Sequence, residues 1–150
     1  MKKILVPVDG SRYSDIAMEK AKKIAEAFGS QITLVHVNDF ALQPFSYNRE
    51  LEESFKAKFE ELSRDLLEEG KGKFGEMADR VETVYLEGHI ANAIIDYANE
   101  NDFDLIVMGP HGKGRMKGFL IGSTAHKISL HVKTSVMIAR DPAQDSKEEL

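Results

Sequence analysis

Residues 105–124 read LIVMGPHGKGRMKGFLIGST, and this stretch decides how the rest of the chain is interpreted. Its four leading apolar residues are typical of a parallel strand that is covered on both faces. Four glycines lie between residues 109 and 118, where the lack of a Cβ lets backbone N–H groups approach an anion. Gly122-Ser123-Thr124 suits the start of a helix, whose unpaired N–H groups and dipole favour a phosphate. The stretch therefore predicts a strand, a phosphate-binding loop and a helix.

The composition indicates one domain that works in the cytoplasm. The chain has 150 residues, 42% of them hydrophobic, and no apolar run is long enough to span a bilayer. Met1-Lys2-Lys3 leads directly into a strand-like run, unlike a signal peptide. The absence of cysteine excludes disulfides, thiolate catalysis and cysteine-based zinc sites, and fits a reducing compartment. We expect a cytoplasmic protein with no membrane partner.

The charge distribution favours a small anionic ligand. The net charge is −5, yet residues 109–140 carry six Lys or Arg and no Asp or Glu. A polyanion such as DNA needs a wider basic surface, so no nucleic-acid partner is expected. Lys113, Arg115 and Lys117 stand beside the glycines and are candidates to face a phosphate, the alternative being that they are ordinary solvated charges.

Strand-like and helix-like segments alternate along the chain. This order, with helical crossovers, predicts an α/β fold with one parallel, doubly wound sheet. The acidic tail 141–150 is expected to be disordered and outside the domain 1–140. The expected strands are 3–9, 31–37, 80–86, 103–108 and 135–139. The first expected helix begins with a cap at Ser14 or Asp15 and ends at Gly29 as its C-cap. Of the other three, one covers 50–69, one follows Gly88 and one covers 123–131.

One stripe of the expected helix 50–69 is apolar. It consists of Leu51, Phe55, Phe59, Leu62 and Leu66, which recur at helical spacing among many charges. Such a stripe is more often core than partner surface, so we expect these side chains to be buried.

Three segments converge on one edge of the predicted sheet. Ligands of doubly wound sheets bind beyond the carboxyl ends of the strands, at the topological switch point. The turn at Asp9, the strand end at Val37 and the strand end at Met108 all lie on that edge. Asp9 has two interpretations, a cap of the turn at Gly10-Ser11 or a contact to a ribose hydroxyl or a metal-bridged phosphate. Both are compatible with the sequence.

The common phosphate motifs fail by spacing. A Walker A loop requires Gly-Lys-Ser/Thr after four residues, and Arg115 follows Gly114 here. The dinucleotide fingerprint fails because Gly118 comes one residue late, and the acidic residues of a phosphorelay receiver are missing. The pattern that does occur is Gly109-x2-Gly112-x9-Gly122-Ser123.

With this pattern the chain resembles the universal stress protein family, specifically its ATP-binding branch. The resemblance covers nearly the whole chain. It is carried by ILVPVDGS at 4–11, LVHV at 34–37, DLIVMG at 104–109, the glycine pattern, and VMIAR at 136–140.

The resemblance implies a three-layer α/β/α sandwich with a five-stranded parallel sheet, Rossmann-like and of the adenine nucleotide alpha hydrolase type. It implies ATP or AMP as ligand, with Mg2+ or Mn2+ as a possible companion, and a homodimer through the last strand, Val136, Met137, Ile138 and Ala139. Pro7, Val8, Asp9 and Val37 would flank adenine and ribose. Ribose and phosphates would be held by Gly109, Gly112, Gly122, Ser123 and Thr124, near Met108, His111 and Lys113.

Two departures from the family pattern affect these expectations. Pro110 stands where the family often has a small polar residue, which removes one N–H from the loop. Residues 132–135 lack the proline that often precedes the last strand, which puts the dimer edge in question.

The expected function is binding rather than turnover, in a stress sensor or regulator. No catalytic residue is assigned, because no nucleophile or base has a visible orienting partner. Two alternatives stay open: a slow ATPase or nucleotidyl-transfer enzyme, and an interaction module that binds no nucleotide. Ser123 and Thr124 also have a second interpretation, as helix N-caps, and His111 is the only histidine placed for ligand contact.

Overall fold

The computed structural model describes residues 1–40, 48–112 and 120–142. Outside these ranges lie residues 41–47, 113–119 and 143–150. They include Lys113, which is a predicted site residue, and most of the acidic tail. The strands are β1 (Lys3–Pro7), β2 (Gln31–Asn38), β3 (Val81–Glu87), β4 (Leu105–Met108) and β5 (Ser135–Ile138). The helices are α1 (Arg12–Phe28), α2 (Arg49–Gly72), α3 (Ile90–Glu100) and α4 (Ser123–His131), and a 3-10 helix (Gly75–Arg80) precedes β3.

The strands form one parallel sheet in the order β3-β2-β1-β4-β5. Successive side chains of a strand point to opposite faces, and both faces are covered. Ile4 and Val6 of β1 pack in one core with α1 and α2, whereas Leu5 packs in a second core with α3 and α4. This covering of both faces explains why all four residues of β4 are apolar and buried. The predicted α/β fold, a Rossmann-like three-layer sandwich, is confirmed.

The cap of α1 lies earlier than expected. Ser11, rather than Ser14 or Asp15, is the N-cap, and its side chain accepts a hydrogen bond from the Ser14 N–H. Asp15 instead lies in the first turn, where a negative charge interacts favourably with the helix dipole. At the other end Gly29 adopts a left-handed φ of 68° and closes the helix, as predicted.

The prediction that the apolar stripe of α2 is core is wrong for four of its five residues. Leu51, Phe55, Phe59 and Leu62 are exposed, and Leu66 is half-buried. The helix packs on the sheet through a different side of its C-terminal half, where the buried residues are Ser63, Leu67 and Gly70. Gly70 permits a close approach of α2 to the sheet, since a Cβ there would lie 3.2 Å from Leu34 Cδ1 and 3.3 Å from Met18 Sδ.

Within the described ranges, no helix is long and apolar enough to cross a membrane.

A carboxylate joins the beginnings of two central strands. Asp104 Oδ2 accepts hydrogen bonds from the backbone N–H groups of Lys2 (2.7 Å) and Lys3 (2.9 Å). These hydrogen bonds hold the pKa of Asp104 below its ordinary value, because they favour the ionised form. The residue therefore ties the chain just before β4 to the first residue of β1.

We predict that Asp104→Asn lowers the melting temperature at pH 7, because an amide oxygen is a weaker acceptor than a carboxylate. The contribution of a carboxylate with a lowered pKa is present above its unfolded pKa of about 3.9 and is lost as the pH falls through the folded value. The difference in melting temperature between wild type and variant should therefore vanish under strongly acidic conditions. Asp102→Asn is the control, since Asn also tolerates the φ of 50° there. A pH-independent difference would contradict this account.

Candidate functional site

A cleft of about 700 Å3 opens at the carboxyl ends of β1, β2 and β4. It lies at the topological switch point, because β1 leads into α1 on one face of the sheet and the segment after β4 leads into α4 on the other. The structure brings eleven of the twelve expected site residues to this cleft, and the twelfth, Lys113, lies outside the described residues. The eleven are Pro7, Val8, Asp9, Val37, Met108, Gly109, His111, Gly112, Gly122, Ser123 and Thr124.

Asp9 caps the turn after β1 and also borders the cleft. Its Oδ1 accepts a hydrogen bond from the Ser11 N–H at 2.8 Å, so the interpretation as a turn cap is confirmed. Its Oδ2 lies beside Gly112, where an added Cβ would collide with it. Gly112 thus lets the loop after β4 approach the carboxylate closely, and one oxygen of Asp9 remains for a ligand.

Among the described residues, no side chain caps the start of α4. Gly122 is the N-cap residue, and Ser123 and Thr124 are the first two residues of the helix, so their predicted role as N-caps is wrong. Gly122 donates its N–H to the Pro110 carbonyl oxygen at 2.7 Å, which holds the loop after β4 against the helix. An uncapped helix start presents N–H groups and the positive end of the dipole. It is one wall of the cleft.

Gly109 is required by packing. A Cβ on it would lie 2.6 Å from Tyr13 Cβ and 3.2 Å from the Tyr13 carbonyl oxygen. From the sequence, Gly109 is interpreted as a position where the backbone approaches an anion. Its contact with Tyr13 of α1 is not evident from the sequence. Because real Cβ atoms do not come within 3.0 Å of such atoms, any side chain at 109 would push α1 away from the end of β4.

His111 is a buried histidine on the cleft wall. Only 8% of it is exposed, and its ring meets the Tyr13 ring edge-on at 4.7 Å between centroids. Its Nδ1 is buried and has no hydrogen-bond partner among the described residues. A buried polar atom without a partner costs free energy, so a polar ligand group within reach of Nδ1 would be stabilising.

The charged side chains among the described lining residues are both acidic. They are Asp9 and Asp39, and no lysine or arginine of the described ranges lines the cleft. An anion here would therefore depend on backbone N–H groups at α4. The cationic candidates from the sequence, Lys113, Arg115 and Lys117, fall in residues 113–119, outside the described ranges.

Sequence reasoning missed the side of the cleft that α2 and the end of β2 form. The sequence predicts that Phe59 and Leu62 are core residues. This prediction fails because periodicity shows that a helix has an apolar face, but it does not show which part of the molecule that face contacts. The lining residues absent from the expected set include Ser11, Ser14, Asn38, Phe40, Phe59, Leu62, Leu66, Ile90 and Ile94.

Comparison with known proteins identifies the family. The sequence model of the universal stress protein family matches residues 1–140. Universal stress protein MJ0531 of Methanocaldococcus jannaschii is 32% identical over 151 residues, which cover 96% of this chain and 85% of that protein. The solved structure of MJ0577 superposes with a TM-score of 0.78 at 27% identity and covers 94% of this chain and 97% of that one.

Some solved structures of this fold contain an adenine nucleotide. They include a universal stress protein with cAMP (22% identity, TM-score 0.65), one from Archaeoglobus fulgidus with dAMP (20%, 0.66), and one from Arabidopsis thaliana with AMP (18%, 0.69). Each covers at least 93% of this chain. Because these structures are only 18–22% identical to the present chain, the similarity shows that the chain shares their fold and nothing more. With the family match over residues 1–140, the comparisons establish that the chain belongs to the universal stress protein family.

Proposed function

We propose that the protein binds an adenine nucleotide, ATP or AMP, in the cleft and acts in the cytoplasm as a sensor or regulator of a stress response. The observation that carries the proposal is the start of α4, which has no side-chain cap among the described residues and lines the same cleft as Asp9 at the switch point of the sheet. The complexes of related structures with AMP, dAMP and cAMP support the adenine base. The absence of cysteine supports the compartment, which cell fractionation would test.

The phosphates are proposed to bind at the start of α4. Ser123 and Thr124 would donate their backbone N–H groups, and the Gly112 side of the loop would approach without a Cβ. His111 Nδ1 is a further group for the same ligand, because it is buried and unpaired within the described ranges. Gly109 and Gly122 shape this wall, and Lys113 is proposed as a cation for the phosphates.

The ribose and adenine are proposed to lie along the ends of β1 and β2. Pro7, Val8 and Val37 would flank them, with Met108 beside the ribose. Asp9 Oδ1 is hydrogen-bonded to the turn and its Oδ2 lies beside Gly112 of the cleft lining, so Oδ2 is the proposed contact to a ribose hydroxyl or to Mg2+ or Mn2+ on the phosphates. A divalent cation suits a described lining whose charged side chains are both carboxylates. Binding of ATP and 2′-deoxy-ATP with and without Mg2+ separates the two contacts.

Binding rather than turnover is favoured by the hydrogen bonds of the nearby hydroxyl groups. Ser14 Oγ donates to the Ser11 carbonyl oxygen, and Ser11 Oγ accepts from the Ser14 N–H. The Ser14 hydroxyl proton is thereby directed to the first turn of α1 and not to a base that could activate the hydroxyl. A slow ATPase or nucleotidyl transferase is the alternative, and phosphate release on a catalytic timescale from purified protein would establish it.

We predict that Ser123→Pro weakens ATP binding. Proline is well tolerated as the first residue of a helix, and the preceding Gly122 has φ −64° and ψ 159°, which suits a residue before proline. The substitution removes the N–H at the proposed phosphate site, and a hydrogen bond to a charged group is worth about 1.5–3 kcal/mol, roughly ten- to a hundredfold in affinity. Isothermal titration calorimetry with Mg2+ and ATP measures the effect.

Ser123→Ala is the matched control, because it removes the hydroxyl group but keeps the N–H. It should bind ATP more tightly than the proline variant, while both variants melt within a few degrees of wild type. Equal ATP affinity of Ser123→Pro and wild type would mean that the start of α4 does not hold the phosphates.

The homodimer is also proposed, through the outer edge of β5. Among the described residues this strand pairs with β4 alone, and Met137 on it is 38% exposed. The Ala139 N–H donates to the Met108 carbonyl oxygen, so by alternation the backbone groups of Val136 and Ile138 point to the open edge. An open edge strand is a template for pairing with a second copy.

We predict that Val136→Pro converts a dimer into a monomer. It removes an N–H that faces away from β4, where proline is tolerated on an edge strand, so the monomer should still fold. Val136→Thr keeps both the branched Cβ and the N–H, and should remain dimeric. Sedimentation velocity measures both. A wild-type monomer, or an unchanged dimer in the proline variant, would rule out this edge as the interface.

A further inference from the structure

The α2 side of the cleft is an apolar wall whose side chains lie outside both hydrophobic cores of the described residues. Phe59 and Leu62 line the cleft, although 38% of Phe59 and 51% of Leu62 are exposed. The Phe40 ring stacks on the Phe59 ring, with 4.4 Å between centroids and 25° between planes. Leu51, on the same stripe about two to three turns earlier, is also exposed but does not line the cleft. We call Phe40, Phe59 and Leu62 the aromatic wall.

The position of the aromatic wall is fixed by polar contacts from the end of β2. Asn38 Oδ1 accepts the Phe40 N–H at 2.9 Å, and Asn38 Nδ2 donates to the Tyr85 hydroxyl at 3.1 Å. The Tyr85 hydroxyl donates in turn to Glu87 at 3.0 Å, and Lys56 of α2 pairs with Glu87 at 3.4 Å. Burial raises the pKa of Tyr85, so the phenol keeps its proton at neutral pH. The contacts link β2, β3 and α2 and hold the wall in place before any ligand binds.

Apolar residues also line the cleft from the other side of the sheet. Val37 lies at the end of β2, and Ile90 and Ile94 lie in the first two turns of α3. Val37 and Ile94 belong to the core beneath α3 and α4, whereas the aromatic wall stands on the α2 side. The cleft is therefore apolar on both sides at the β2 end, which suits a flat, weakly polar ring.

Charge and distance assign this end to the base of a nucleotide. Of the described lining residues at the β2 end, Asp39 is the charged one, and its carboxylate repels a phosphate, whereas the start of α4 attracts one. β2 and β4 are the two neighbours of β1, so their ends lie about 10 Å apart at the usual strand spacing. A nucleotide spans this interval with its phosphates at α4 and its base at β2.

We propose that the aromatic wall receives the purine base of the bound nucleotide, so that α2 sets base selectivity. The inference rests on the proposed nucleotide binding and adds a specificity determinant to it. Covering exposed apolar surface is favourable in proportion to area, and a two-ring purine covers more of the wall than a pyrimidine does. The wall therefore favours ATP over CTP, while a phosphate chain without a base gains nothing from it.

The experiment compares variants of α2 in the full-length protein. Phe59→Ser and Leu62→Ser remove the apolar surface at two exposed positions, so both variants should fold. Leu62→Met retains volume and apolarity and should rescue binding. Leu51→Ser is the matched control outside the cleft. Calorimetry with Mg2+ measures the affinities for ATP, CTP and inorganic tripolyphosphate, and circular dichroism checks the fold.

We expect each serine variant at 59 or 62 to weaken ATP binding about tenfold or more, and to lower the ratio of ATP to CTP affinity. Tripolyphosphate affinity should stay within twofold of wild type. Leu51→Ser should behave as wild type, and Leu62→Met should bind ATP more tightly than Leu62→Ser. If wild type binds ATP and the folded serine variants bind ATP and CTP with unchanged affinities, the aromatic wall is not the base site. If wild type binds no ATP, the proposed nucleotide binding fails as well, and the two failures are thereby distinguished.

Discussion

The contact between Tyr13 and Gly109 sets the geometry on which the candidate site depends. α1 leaves β1 on one face of the sheet and α4 begins after the β4 loop on the other, so the cleft is bounded by two helix starts. The absence of a Cβ at Gly109 lets Tyr13 lie directly on the end of β4. The Gly122–Pro110 hydrogen bond then fixes the start of α4 relative to the same loop. The Tyr13–Gly109 contact and the Gly122–Pro110 hydrogen bond thus position the starts of α1 and α4. Neither contact uses the groups that face the cleft.

The cleft is suited to an anion by its backbone more than by its described side chains. Its described charged side chains are the carboxylates of Asp9 and Asp39, so the attraction comes from the N–H groups and dipole of α4. Such a site recognises the shape and charge of a phosphate but carries little information about what is attached to it. In the proposed complex, selectivity for the base falls to the apolar end of the cleft, where Phe59 and Leu62 of α2 meet the end of β2.

The fold was predictable because its signals are local. Alternating strand and helix patterns predicted the sheet, Gly29 marked the end of α1, and the strand ends at Asp9, Val37 and Met108 converge on one edge. The cap of α1 and the burial of the α2 stripe were predicted wrongly, and the packing of Gly109 was not foreseen. Ser11 rather than Ser14 caps α1, because the chain leaves the Asp9 turn sooner than apolar periodicity indicates. The apolar stripe of α2 is exposed over most of its length, because the helix packs on the sheet through the neighbouring side that carries Ser63, Leu67 and Gly70. Gly109 serves packing against Tyr13, which no spacing rule reveals.

The central claim, that an adenine nucleotide binds at the switch point with its phosphates on α4, is tested most directly by a nuclear magnetic resonance titration. Nitrogen-15-labelled, nucleotide-free protein would be titrated with ATP and Mg2+ while every assigned backbone amide is followed. The account predicts that the largest chemical-shift changes occur at Ser123, Thr124 and Gly112, with a second group at Val37 and Asp9. Saturating ATP that leaves these amides unchanged, or that shifts only amides away from the cleft, would contradict it.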